Sequence, residues 1–271
     1  MRVTLIAEIG ENHLGDLAMG RRMIDEAACA GADIVKFQSY LGADVSPQDP
    51  EREWFSRVEL SDAMHRDLKA RAEENGVEFL SSPFTIERAR YLCEELGLTR
   101  IKIASSELLN TGLLDYVNRH AQDIYLSTGM ATLEEIRQTL QQLKNVGTVS
   151  ILHCVTQYPA RDEEANLRAI GTLIQSFPDH PVGYSDHTLG IEAAVAAVGQ
   201  GATVIEKHFT LAKSLPGTDH VLSAIPEEFA EMARRIRRLE VLLGEGGKNP
   251  VERERAIRDT VRNRWRKEPV G

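Results

Sequence analysis

The feature that most constrains this 271-residue chain is an alternation repeated eight times, in which a short β-branched run leads into a longer amphipathic stretch. The apolar runs are residues 3–8, 34–38, 77–81, 101–104, 124–127, 149–154, 182–184 and 204–207. The stretches that follow them cover 16–30, 61–75, 86–96, 112–120, 133–144, 163–177, 191–199 and 226–243. Each of these is long enough to return the chain by a right-handed crossover to a parallel neighbouring strand. Eight such units without a second composition zone predict an α/β fold, a single closed (β/α)8 TIM barrel; such a barrel takes roughly 250 residues. The barrel is expected over residues 1–245 and a basic C-terminal tail over 246–271.

Local signals agree. Ser61 and Thr132 are helix N-cap residues by position, and Thr132-Leu-Glu-Glu135 has the spacing of a capping box. Gly31, Gly76, Gly97, Gly147 and Gly201 stand between a helix and the next strand, where a left-handed cap is expected. No run of about 18 apolar residues predicts a membrane-spanning helix. The chain enters Val3-Thr-Leu-Ile-Ala7 without a signal-peptide core. Three isolated cysteines, Cys29, Cys93 and Cys154, suggest a reducing compartment and a cytoplasmic protein. The net charge of −9 argues against general nucleic-acid binding. From Lys248 onward, eight basic residues oppose four acidic ones, giving a tail of +4 and leaving the body at −13. That tail reads as a solvated helix or as a docking segment.

In a barrel of this kind, functional residues collect at the C-terminal ends of the strands. His187 follows the seventh run and His208 ends the eighth. Adjacent parallel strands lie about 4.8 Å apart, so the two imidazoles can converge on a divalent ion such as Mn2+ or Zn2+ and leave it open positions. Lys36 lies inside an apolar run, a costly place for a charge without an anion. With Lys102 and the hydroxyls of Ser82, Ser105, Ser127 and Ser185 it makes a donor set for a phosphate, a carboxylate or a small anion carrying both. Lys102 has Glu107 as an alternative, structural partner. Glu107 and Asp219 are placed to bind hydroxyls or move protons. Thr156, Tyr158 and Glu206 also fall at strand ends, and the role of Asp186 is open. His13 is expected near the metal point, as a supporting group or a spare ligand. His153 reads as hydrogen-bonded packing, and His65, His120 and His180 as surface or helix positions.

These residues stand in blocks that resemble the sialic acid (N-acetylneuraminate) synthase family. The blocks are Ala7-Glu-Ile-Gly-Glu-Asn-His13, Ala32-Asp-Ile-Val-Lys-Phe-Gln38, Phe79-Leu-Ser-Ser-Pro-Phe84, Ile101-Lys-Ile-Ala-Ser105, Leu126-Ser-Thr-Gly-Met-Ala-Thr-Leu-Glu-Glu-Ile136, Gly183-Tyr-Ser-Asp-His-Thr-Leu-Gly190, Val204-Ile-Glu-Lys-His-Phe-Thr-Leu211 and Pro216-Gly-Thr-Asp-His220. The resemblance runs in order from about residue 3 to 255. It implies condensation of phosphoenolpyruvate with an aldehyde-form sugar to give a 2-keto-3-deoxy sugar acid and phosphate. It further implies a divalent metal on His187 and His208, usually Mn2+, with Mg2+, Co2+ or Zn2+ as alternatives. Lys36, Lys102, Ser82, Ser105, Ser127 and Ser185 would hold phosphoenolpyruvate. Glu107, Tyr158 and Asp219 would contact an aldose or amino-sugar acceptor, and Glu206 would lie near the reacting centre. A homodimer is implied as well.

The sequence also departs from the family. Members commonly carry a C-terminal antifreeze-like domain, and this sequence stops at Gly271, where the linker to it would begin. Ser106 stands where many members have Gly, and Thr156 where some have Asn. The expectation is a barrel mouth without its usual cover, with an acceptor lacking an N-acetyl group or with a separate chain supplying the cover. Two rivals remain: a Schiff-base barrel aldolase using Lys36, Lys102 or Lys207, and a non-catalytic barrel binding module.

Overall fold

A computed structural model describes residues 2–266. Eight strands form one parallel sheet: β1 (Thr4–Gly10), β2 (Ile34–Ser39), β3 (Glu78–Pro83), β4 (Arg100–Ile103), β5 (Asp123–Ser127), β6 (Thr148–Cys154), β7 (Val182–Asp186) and β8 (Val204–His208). The paired order is β3-β2-β1-β8-β7-β6-β5-β4. First and last strands therefore pair, Glu8 opposite His208 and Ile6 opposite Glu206. Among the described residues no register joins β3 to β4, which nonetheless pack side by side, so the sheet is a nearly closed TIM barrel.

Helices follow the strands in turn: α1 (Leu17–Cys29), α2 (Arg52–Val58), α3 (Asp62–Glu74), α4 (Ile86–Arg90), α5 (Thr111–His120), α6 (Leu133–Gln142), α7 (Ala169–Ser176), α8 (Glu192–Gly199), α9 (Pro226–Leu243) and α10 (Glu252–Asn263). The caps are those the sequence requires. Ser61 accepts from the Met64 amide, and Thr132 makes the full capping box with Glu135. Two stretches differ from the sequence reading. Helix α2 rises within the loop after β2, where the polar composition hides it. The helix expected over 163–177 begins only at Ala169, after a 3-10 turn at Asp162–Glu164. Gly147 lacks the positive φ found at Gly31, Gly76, Gly97 and Gly201.

Strand residues alternate in direction. One set points into the barrel, where Ile6, Ile34, Leu80, Tyr125, Leu152 and Val204 form an apolar plug. The other set points outward and packs under the helices in the main core, with Val35, Phe37, Ile101, Tyr184 and Ile205 among it. Gly183 is needed at its place in β7, because a Cβ there would lie 2.6 Å from the Val204 carbonyl oxygen and 2.5 Å from Leu152. The described chain divides into two compact units, one ending at Glu240 and one beginning at Val241. The second unit holds α10, whose residues are exposed except for the half-buried Asn263. Residues 267–271 of the expected basic tail, including Lys267 and Glu268, lie outside the described residues. Among those described, no helix is long and apolar enough to cross a membrane.

Candidate active site

One step beyond the apolar plug, the inward alternation brings polar residues together from all eight strands. They open on a cavity of about 570 Å3 at the C-terminal end of the barrel. Its wall includes Lys36, Ser82, Lys102, Ser105, Ser127, Thr156, Tyr158, Ser185, His187, Glu206, His208 and Asp219. Of the residues singled out in the sequence, Glu107 stands outside this lining. Its carboxylate accepts a 2.7 Å hydrogen bond from Asn110 Nδ2, and Asn110 in turn caps α5 at Leu113.

The floor of the cavity is a buried four-charge cluster. Lys36 Nζ lies 2.6 Å from Glu8 Oε2 and 3.7 Å from Glu206 Oε2. Lys102 Nζ donates to both oxygens of Glu206, at 2.8 and 3.1 Å, and Ser185 Oγ donates to Oε1 at 2.8 Å. The alternative pairing of Lys102 with Glu107 does not form, because Lys102 points inward to Glu206 and Glu107 sits in the loop beyond. Burial opposes every charge here. For Glu206 the ammoniums of Lys102 and Lys36 outweigh burial and hold the carboxyl well below its usual range. For Glu8 burial wins and raises it. For Lys36 burial is outweighed by Glu206 and Glu8, which raise it; Lys102 is lowered by burial, with Lys36 adding to the effect. Glu8 is a member of this cluster that sequence reasoning passed over. The signal was present, since a Glu–Lys register across β1 and β2 faces both side chains inward.

Above the floor stand the two imidazoles, with ring centroids 5.3 Å apart. His187 Nδ1 donates to the Val155 carbonyl at 2.7 Å, which leaves Nε2 free of that bond. His208 Nδ1 is buried without a hydrogen-bond partner and lies 3.3 Å from Asp219 Oδ2. Burial, followed by the neighbouring His187, pushes His208 well below the usual histidine range. Burial raises Asp219 to about 7, with Glu11 and Glu8 adding to the effect. Tyr158 covers His187 with a ring separation of 4.2 Å and meets His208 edge-on at 5.9 Å. Cys154 Sγ is 3.8 Å from His187 Nδ1; burial would raise the thiol, but the imidazole outweighs it and lowers it.

The serines divide. Ser105 Oγ accepts from the Gly129 amide at 2.9 Å and Ser82 Oγ from Lys36 at 3.4 Å. Ser127 Oγ and Thr156 Oγ1 are buried without partners. Gly129 makes room for the Thr156 and Ser105 hydroxyls: a Cβ there would lie 2.1 Å from Thr156 Oγ1 and 2.9 Å from Ser105 Oγ. Buried hydroxyls left unpaired at a cavity wall are costly, and a ligand would satisfy them.

Other expectations are redirected. His13 does not reach the imidazole pair. A register shift between Glu8 and Gly10, with Gly10 at φ +53°, turns the chain so that His13 packs 5.9 Å from Phe37, on the outer face of β2. His65 takes the helix position among the two that the sequence allowed, on α3, and is fully buried there. His153 packs as expected, its Nε2 2.9 Å from the Ala165 carbonyl. Lys207 points outward and is buried against Asp186 Oδ2 at 3.0 Å and the Thr188 carbonyl at 2.5 Å, away from the cavity. Asp186 also accepts from the Thr188 amide and hydroxyl, so it fixes the turn that carries His187.

A barrel with imidazoles, ammoniums and hydroxyls at the C-terminal strand ends defines an enzyme of the sugar-acid synthase class. The chain belongs to the NeuB family, whose model matches residues 23–248. It is 44% identical to an uncharacterised protein of Methanocaldococcus jannaschii, over 93% of this chain and 75% of the other. It is 38% identical to the N,N'-diacetyllegionaminic acid synthase of Legionella pneumophila, over 97% of this chain and 79% of the other. Among solved structures, an N-acetylneuraminic acid (sialic acid) synthetase of Leptospira borgpetersenii superposes with a TM-score of 0.92 at 35% identity, over 99% of this chain and 94% of that one. Membership makes the chain a phosphoenolpyruvate-dependent synthase.

Proposed function

We propose that the chain condenses phosphoenolpyruvate with the aldehyde form of an aldose or amino sugar, giving a 2-keto-3-deoxy sugar acid and phosphate. A divalent ion, Mn2+ foremost, would be held by His187 and His208. The residues fit such a group. One imidazole is oriented by a carbonyl through Nδ1, the other has a buried orphan nitrogen, and the pair opens on the cavity. Among the described residues no group of three or more His, Cys, Asp or Glu is arranged around one point, which suits an ion that takes its other ligands from substrate and solvent. When bound, such an ion supplies Lewis-acid polarisation of a carbonyl oxygen.

The chain's own residues would do the rest. Lys36 and Lys102, with Ser82, Ser105, Ser127 and Ser185, would hold the phosphate and carboxylate of phosphoenolpyruvate. Both ammoniums are engaged by Glu8 and Glu206, which keep them aimed at the floor until the trianionic ligand shares them. Thr156, Tyr158 and Asp219 would contact the acceptor, with Glu107 as a carboxylate on the loop outside the lining. In the reaction the C2=C3 electron pair of phosphoenolpyruvate forms a bond to the aldehyde carbon, and the aldehyde oxygen gains a proton. Water adds at C2 and gives up its protons, and the C2–O bond breaks to release phosphate and leave a ketone. Glu206 would lie at the reacting centre and position both lysines. Glu8, whose carboxyl is raised by burial against the pull of Lys36 2.6 Å away, would exchange a proton there. A homodimer belongs to the same proposal.

The observation that carries this reading is the convergence of two imidazoles, two ammoniums and two orphan hydroxyls on one cavity. The aldolase rival loses Lys207, which is sealed outside the cavity, and finds Lys36 and Lys102 ion-paired. Phosphate release from phosphoenolpyruvate against a panel of aldoses, with metal-stripped and Mn2+-loaded protein, tests the proposal. Release that requires both sugar and Mn2+ supports it. Trapping of a pyruvate adduct by borohydride, without metal-dependent release, overturns it in favour of the aldolase.

A further inference from the structure

The outer part of the same cavity carries a second pattern. Glu11, in the turn after β1, and Asp219, in the loop after β8, are both buried, with 6% and 7% of their surface exposed. Thr218 Oγ1 stands between them, 3.2 Å from Glu11 Oε1 and 3.2 Å from Asp219 Oδ1. Among the described residues neither carboxylate has a lysine or arginine within ion-pairing distance, and the charged lining of this part is completed by Asp44 and Glu51. The cationic groups of the cavity, Lys36 and Lys102, are committed to Glu8 and Glu206 at its floor. Apart from that hydroxyl, Glu11 has the Trp54 indole and Asp219 the His208 ring as polar neighbours, so the two buried carboxylates keep acceptor oxygens that donors from outside would satisfy. The same lining carries an aromatic wall, with the Tyr40 ring edge-on to Phe55 at 5.2 Å and to Phe84 at 5.8 Å.

From this arrangement we infer that Glu11, together with Asp219, selects the acceptor: an unphosphorylated aldehyde sugar that presents hydroxyl or ammonium donors to the two carboxylates, with its carbon face on the aromatic wall. A phosphorylated acceptor would bring its dianion against these carboxylates with no lysine or arginine beside them to receive it. The inference rests on the synthase reading above and adds the class of acceptor and the residue that sorts it.

The test uses the Mn2+-loaded full chain, phosphoenolpyruvate and four probes: mannosamine, N-acetylmannosamine and the 6-phosphate of each. The expected result is a kcat/KM for the unphosphorylated probes about a hundredfold above that for the phosphates. Glu11→Gln is expected to raise the acceptor KM about tenfold while leaving the phosphoenolpyruvate KM within about twofold, a split that a merely structural role would not produce. Glu11→Lys narrows the preference against phosphate by at least about tenfold. Comparison of mannosamine with its N-acetyl form shows whether an ammonium or hydroxyls satisfy the pair. Turnover of phosphorylated and unphosphorylated probes at similar rates, or an unchanged acceptor KM in Glu11→Gln, overturns this inference alone. Absence of phosphate release with every probe, while a wider aldose panel is also silent, overturns the synthase reading and this inference with it.

Discussion

Lys102 spans the barrel interior from β4 to β8 and donates to both carboxylate oxygens of Glu206, at 2.8 and 3.1 Å. Their contact replaces solvent for two charges that the β/α framework has carried inside. Breaking a buried pair from one side leaves the other charge uncompensated, at a cost of about 3–5 kcal/mol. Lys36, 3.7 Å from Glu206, cushions that loss. Lys102→Met is therefore expected to destabilise by about 3 kcal/mol in urea unfolding, and to lower kcat/KM for phosphoenolpyruvate by at least about a hundredfold. Lys102→Met combined with Glu206→Gln should recover much of the stability and none of the activity. Equal stability of the single variant and the wild type would show that the pair is already solvated.

Gly129 holds the narrowest approach in the site. Added to its backbone, a methyl group would lie 2.1 Å from Thr156 Oγ1 and 2.9 Å from Ser105 Oγ. Overpacking of this kind costs about 1–3 kcal/mol and displaces the side chains it meets. Gly129→Ala should lower the midpoint of thermal unfolding by several degrees and reduce kcat/KM for phosphoenolpyruvate by about tenfold or more. Thr156→Ser in the Gly129→Ala background keeps the hydroxyl but, without the β-branch, lets it turn away from the added methyl. If the two hydroxyls matter as proposed, it restores part of the activity.

The imidazole pair makes a separate claim. His187→Ala or His208→Ala should weaken Mn2+ binding, followed by calorimetry on the folded protein, by about a hundredfold, because each removes half of the protein's proposed ligand set. Asp186→Asn acts one step further out. It leaves both rings present but loosens the turn that Asp186 fixes through Thr188, and an effect of about tenfold is expected. Unchanged Mn2+ affinity in both alanine variants would move the metal elsewhere.

Much of this arrangement was legible in the sequence because a parallel barrel converts chain order into position. Once residues 34–38 and 204–207 are read as strands, period-two alternation sends Lys36 and Glu206 to the same interior. What the alternation does not carry is cross-barrel pairing. Lys102 has Glu107 five residues away in sequence, yet its partner is 104 residues distant, because Lys102 faces inward and Glu107 lies in the loop beyond. His13 was misplaced for a related reason. Its block follows β1 directly, but the register shift at Gly10 breaks the alternation and turns the ring under α1 and α3. Helix α2 was hidden because its seven residues are largely polar and only Val58 is fully buried.

His65 and His13 give the fold a dependence on acid that is independent of the catalytic cavity. Burial pushes both imidazoles down to about 4, with Arg88 beside His65 and the His65 ring beside His13 adding to the effect. His65 Nδ1 donates to the Ser61 carbonyl at 3.1 Å, and its ring lies edge-on to Tyr91 at 5.7 Å. Neither ring has room for a hydrated charge. Between pH 6.5 and about 4 the unfolded chain takes up a proton on each imidazole and the folded chain does not, so folding stability falls as pH falls through that window and levels below it. Each histidine is worth roughly 3 kcal/mol across the full window, since one pKa unit corresponds to about 1.4 kcal/mol. His65→Gln, which can keep a donor for the Ser61 carbonyl, should lower stability at pH 7.5 modestly yet remove one proton's worth of the slope. Urea unfolding at pH 7.5, 6.0 and 5.0 reads that slope directly, and the same slope in wild type and variant would place the acid sensitivity in other groups.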